Sequence, residues 1–102
     1  MAKRDYIKQL QDEILHRHAC KSAWIESVPV VDVFRGRTIW SGIVEVFSVA
    51  GHSKAKIAYA WIEEEVRVAA RARVETVLQI PPVECPLTAV QAAIIAESTW
   101  GL

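Results

Sequence analysis

"GHSKAKIAYAW", residues Gly51 to Trp61, is the stretch on which the fold turns. Gly51 lies between two β-rich runs, where turn chemistry is expected. From Lys56 the pattern becomes that of a strand, "KIAYAWI", whose successive side chains point to opposite faces. One face carries Ile57, Tyr59 and Trp61, the other Ala58, Ala60 and Ile62. The small-residue face would let a helix approach the sheet closely. The aromatic face has to find another cover.

Working back from Gly51, "TIWSGIVEVFSV" (38–49) reads as a strand with apolar residues on both faces, so a central position is expected. Before it, "WIESVPVVDVF" (24–34) is a third β-rich run, and "RGRT" with Gly36 supplies the tight turn between them. Pro29 cannot donate to a ladder, which places this strand at an edge or at a bulge. Residues 3–19 form an amphipathic helix, with Tyr6, Ile7, Leu10 and Ile14 on one stripe. Working forward, "EEEVRVAARARVE" (63–75) keeps a period of two through Val66, Val68, Ala70, Ala72 and Val74. That predicts a turn at Glu63–Glu65 and a fourth strand ending at Ile80; a short helix over 63–72 is the alternative. Pro81 and Pro82 end the segment. Pro86 suits a first helical turn, and "PLTAVQAAIIAEST" continues as a helix toward a cap at Gly101. From Cys85 to Ala96 this helix has no charged residue, so a second subunit is expected to cover it. The fold class is therefore α+β over residues 1–102 as a single domain. It is a four-stranded antiparallel meander with both helices on one face, in the order α-β-β-β-β-α.

Composition sets bounds on function. The chain has 102 residues, 52% hydrophobic and 24% charged, with a formal net charge of zero. Disorder is excluded by that balance, and no bulk field draws the chain to nucleic acid or an anionic membrane. Two cysteines, Cys20 and Cys85, make no disulfide framework and read as reduced thiols. The charged N-terminus lacks a secretory core, and no run is long enough to span a membrane. A cytoplasmic location is the expectation.

Several constellations carry potential chemistry. "HRHAC" brings His16, His18 and Cys20 together, but helical spacing lets only His16 and Cys20 share a face, so no metal site is expected. Cys85 precedes a helix, where a thiolate would be stabilised, yet an N-cap or buried cysteine is the simpler reading. Glu26, Asp32 and Glu45 are carboxylates in strands, read here as solvent-facing. Arg35, Arg37, Lys54 and Lys56 lie at two turns beside Trp40, Tyr59 and Trp61. Phosphate contact with base stacking would need that composition, but the balanced charge and Glu63–Glu65 weigh against nucleic acid. Trp40, Tyr59 and Trp61, with His52 as a polar group, could line a small-molecule pocket; packing is the competing use of such rings. No catalytic residue and no cofactor is assigned, and the balance favours a non-enzyme.

Three blocks, "WSGIVEVF" (40–47), "GHSKAKIAYAW" (51–61) and "LQIPPVECPLTAVQAAI" (78–94), resemble a family of short bacterial proteins without an assigned function. In that pattern a proline follows Gly-His and a serine follows Tyr-Ala-Trp; here those positions hold Ser53 and Ile62. The resemblance implies a small orphan protein of the kind carried on integron gene cassettes and assigns no site residue. The expected activity is that of an interaction module working as a homo-oligomer, a dimer first of all. A small-molecule binder and a nucleic-acid binder are the alternatives.

Overall fold

The computed structural model describes residues 3–64 and 72–100. Helix α1 (Lys3–His18) leads into strand β1 (Lys21–Phe34), β2 (Arg37–Ala50), β3 (Ile57–Glu64), β4 (Ala72–Leu78) and helix α2 (Pro86–Trp100). The strands form one antiparallel meander in the order β1-β2-β3-β4. Element order, fold class and the central place of β2 are as the residue pattern predicts.

Local chemistry explains the boundaries. Asp5 in the first turn of α1 and His16, Arg17 and His18 in the last complement the helix dipole. Ala19, at φ 55°, turns the chain out of the helix while its N–H still reaches the Leu15 carbonyl at 2.9 Å. Arg35 and Gly36 both have positive φ, 54° and 76°, as a two-residue type I′ hairpin turn requires. β1 is an edge strand in which Pro29 faces Ile43, with register shifts at Trp24/Glu26 and Asp32/Val33. The Pro81–Pro82 peptide bond is cis.

The turn expected at Glu63–Glu65 does not include Glu63 or Glu64. Glu63 and Glu64 remain in β3, opposite Arg73 and Ala72. Both residues, like Ala72, are therefore strand and not helix; the rest of that segment and the Gly101 cap lie outside the described residues. Cross-strand pairing of Glu63 with Arg73 is favourable by charge, which supports the ladder into the acidic run as far as Glu64.

The helices do not share a face. On one side of the sheet, Leu10 and Ile14 of α1 pack with Phe47, Ala58, Ala60 and Val74. On the other, Ala89 and Val90 of α2 pack with Val30, Val44, Val46, Tyr59 and Trp61. Ala58 and Ala60 alternate with Tyr59 and Trp61 along β3, so the two clusters lie on opposite sides. The result is three layers, helix on sheet on helix. The expectation of two helices on the alanine face is corrected, and so is its corollary. Trp61 is 1% exposed and Tyr59 4%, because α2 of the same chain covers them. Each large core side chain buried this way stabilises the fold by about 1.5–3 kcal/mol.

Candidate functional site

Two tryptophan–glutamate couples cross the sheet, one on each face. On the α1 face Glu45 is buried, and its Oε1 accepts Trp24 Nε1–H at 2.8 Å and the Ser27 hydroxyl. The reading of Glu45 as solvent-facing is corrected: an acidic residue between Val44 and Val46 is buried when two partners satisfy its oxygen. Glu26 is exposed as read, and Asp32 is half-buried and accepts from Gln91 Nε2 at 3.4 Å. The Tyr6 phenol is pushed up to about 12, first by burial and then by the negative charge of Glu45. On the α2 face Trp40 Nε1–H donates to Glu63 Oε1 at 2.9 Å, and Glu63 Oε2 accepts from Arg73 Nη2 at 3.4 Å. Arg73 Nε also lies 2.8 Å from Glu75 Oε1.

Of the four aromatic-pocket candidates, three come together and one does not. Trp40 and Trp61 meet edge to face, with centroids 5.9 Å apart at 71°. Tyr59 belongs to the same cluster, and its hydroxyl donates to the Glu84 carbonyl at 3.4 Å. The buried Trp61 Nε1 meets no hydrogen-bond partner among the described residues. His52 sits in the β2–β3 turn, where its Nδ1 accepts the N–H groups of Lys54 and Ala55, both at 3.0 Å. That ring organises the turn.

The four basic candidates are split. Arg35 and Arg37 lie at one end of the 14-residue β2, Lys54 and Lys56 beyond the other. The molecule measures 38 Å along its longest axis, and the pairs sit at opposite ends of its longest strands, so they make separate surfaces. Arg35 stacks its guanidinium over Phe34, 5.2 Å from the ring centroid.

Histidine and cysteine chemistry is likewise dispersed. His18 Nε2 is 2.8 Å from Thr76 Oγ1, and burial, Arg17 and His52 together lower its pKa below the ordinary 6.5. His16 is exposed, and the buried Cys20 thiol donates to the His18 carbonyl at 3.1 Å. Cys85 sits just ahead of α2, exposed, with Thr88 Oγ1 3.5 Å from its sulfur. The hydroxyl of Thr88 also accepts the N–H groups of Glu84 and Cys85 at 2.9 Å. Hydrogen bonds to the sulfur from the Thr88 hydroxyl and from the backbone of Thr88 and Leu87 hold the Cys85 thiol below its usual pKa. Among the described residues no three His, Cys, Asp or Glu side chains form a metal-binding group. No helix of the described residues is long and apolar enough to cross a membrane.

What stands out is surface that α1 does not reach. A 16-residue helix is about 24 Å long, whereas β1 and β2 run for 14 residues each. Toward the far end of this hairpin Val31, Val33, Phe34, Ile39 and Ile43 are each between 49 and 59% exposed. Val31 and Ile43 alternate onto the α1 face beside Pro29. Val31 and Val33 share one face of β1 and Phe34 points to the other, so the hairpin's far end presents apolar side chains to solvent on both faces. The residue pattern pointed to Tyr59 and Trp61 for such a surface and missed these. Hairpin length against helix length was the available signal. No family model, curated protein or solved structure matches the chain.

Proposed function

We propose that the chain is a non-enzymatic interaction module that works as a homodimer and offers the far end of its β1–β2 hairpin to a protein partner. The bare apolar hairpin carries this reading: five half-exposed branched or aromatic side chains on a rigid ribbon are poorly accommodated by water. The Arg35 cation at its tip adds a polar rim of the kind that surrounds interface cores. Self-association is supported by zero net charge and by the uncharged stretch of α2, where Ile95 is 66% exposed. Two copies present two hairpins, which multiplies affinity for a repeated partner through effective concentration.

Sedimentation velocity tests the first step. A species of twice 11.4 kDa is expected by about 200 µM, a concentration at which even a 10 µM interface is mostly formed. A single monomeric boundary throughout would refute dimerisation. Lysine at Ile43 should leave the fold's stability within about 0.5 kcal/mol of the wild type, as expected for a surface change. A large loss of stability in that variant would show that the hairpin face is already covered within the chain.

A further inference from the structure

The edge strand β4 has features that β1 lacks. β1 is guarded by Pro29 and two register shifts, devices that keep an edge from pairing. β4 holds an unbroken register with β3 from Ala72 to Leu78 and contains no proline. Beside it lies an open cleft of about 590 Å³, bordered by His18 at the end of α1 and by Ala92, Ala93 and Ala96 of α2. Thr76 and Leu78, from the α1 face of β4, line it together with Arg73, Glu75 and Val77 from the α2 face. The cleft therefore runs along the strand's outer edge.

The backbone direction can be read from one bond. Gln79 N–H reaches the Ile57 carbonyl at 2.9 Å, and these residues stand opposite one another in the register. Hydrogen-bonded pairs alternate along an antiparallel ladder. Arg73, Glu75 and Val77 are thus turned toward β3, and Val74 and Thr76 direct their N–H and C=O groups outward.

We infer that a second copy of the chain joins at this edge, β4 against β4, extending two four-stranded sheets into one of eight. This rests on the dimer reading above and names its interface. Antiparallel pairing of a strand with its own copy requires a two-fold axis normal to the sheet, which keeps each residue on its own face. Only residues an even number apart can then stand opposite each other. Centring on Glu75 would set it against itself. Centring on Thr76 sets Glu75 against Val77 of the second copy. Centring on Val74 sets Arg73 against Glu75 of the second copy, twice by symmetry, at the closely spaced non-hydrogen-bonded positions. The same register gives Val74 both outward hydrogen bonds with its own copy and pairs Thr76 with Ala72. Charge selects this register. It also leaves the two bare hairpins at the far ends of the joined sheet.

Charge swapping tests the interface on the full chain. Arg73→Glu should raise the dimer dissociation constant about tenfold or more, since it sets like charges opposite each other at two symmetric positions. Adding Glu75→Arg to it should restore the constant to within about threefold, because the exchanged pair is again complementary. Circular dichroism checks that each variant folds. Hydrogen exchange on the wild type gives a second readout. The Val74 and Thr76 amides should lose protection on dilution into the monomer range, while those of Glu75 and Val77 keep theirs. If the protein is dimeric yet neither charge swap nor dilution affects these readouts, the β4 interface is wrong and dimerisation stands. A monomer at all concentrations overturns both.

Discussion

Replacing Gly42 by alanine should destabilise the protein by about 1–2 kcal/mol, although alanine usually favours a strand over glycine. A methyl group at this position would lie 2.8 Å from Trp40 Cη2 and 3.1 Å from Cζ2. The indole lies across the bare glycine backbone and cannot simply slide. Its edge meets Trp61, and its Nε1–H is committed to Glu63. Three effects decide the magnitude. Overpacking costs about 1–3 kcal/mol when neighbours are forced off their rotamers. Loss of the edge-to-face contact would cost about 0.5–1.5 kcal/mol. Removing the glycine's extra freedom in the unfolded chain returns about 0.4–1 kcal/mol. Trp40 is only half-buried, so part of the strain can relax toward solvent. For a chain of this size the net change corresponds to a melting point about 5–12 °C lower. Urea unfolding followed by tryptophan fluorescence measures it, and the near-ultraviolet dichroism of the Trp40–Trp61 pair should weaken in parallel. The decisive control is the same substitution in a Trp40→Ala background, where the methyl group meets no ring and the penalty should vanish. A Gly42→Ala protein as stable as the wild type, or an equal penalty in both backgrounds, would refute the close-approach argument.

Three further outcomes follow from the titratable groups. Glu45→Gln removes the charge beside Tyr6, so the phenol should titrate below about 12 but still above 10, since burial is the larger cause; absorbance at alkaline pH reads it. Because folded Tyr6 holds its proton above the unfolded value, wild-type stability should begin to fall near pH 10 and keep falling toward 12, less steeply in the variant. His18 titrates below its unfolded 6.5, so the unfolded chain binds more protons in acid and stability should decline as pH drops below about 6.5. His18→Gln should flatten that decline in urea titrations, and an unchanged slope would exclude His18 as its source. Exposed Cys85 should be alkylated by iodoacetamide at pH 7 far faster than buried Cys20. Thr88→Val, which removes the hydroxyl that lowers the thiol's pKa, should slow that reaction; an unchanged rate would rule out this activation.

The meander was legible because each of its determinants is local. Period-two alternation marked the β1, β2 and β3 strands, Gly36 marked a turn that needs positive φ, and Pro29 marked the edge. Burial of Glu45 was not legible in the same way. It depends on Trp24 and Ser27 arriving from β1 in a register shifted by a bulge, which no local pattern encodes. Glu63 and Glu64 were misread as turn because three consecutive acidic residues look like a solvated loop until Arg73 is set opposite one of them.

Which helix covers which face was the deeper difficulty, and its answer lies in side-chain size. Alternation shows only that Ala58 and Ala60 share one face and Tyr59 and Trp61 the other. Both helices are apolar enough to serve either. Close packing, however, sets large against small. α1 brings Leu10 and Ile14, with Tyr6 and Ile7 beside them, to the alanine face, where bulky side chains have room. α2 brings Ala89, Ala92 and Ala93 to the aromatic face, where the sheet already supplies the volume. Exchanging the helices would crowd Leu10 against Trp61 and leave a void between Ala89 and Ala58. The absence of charge from Pro86 to Ala96 of α2, which suggested a second subunit, is thus first a requirement of lying over two buried rings. Among the described residues of α2, Leu87 and Ile95 are the large apolar side chains that stay exposed. The same reasoning moves the search for an interface away from the centre of the sheet, to the outer edge of β4 and to the end of a hairpin too long for its helix.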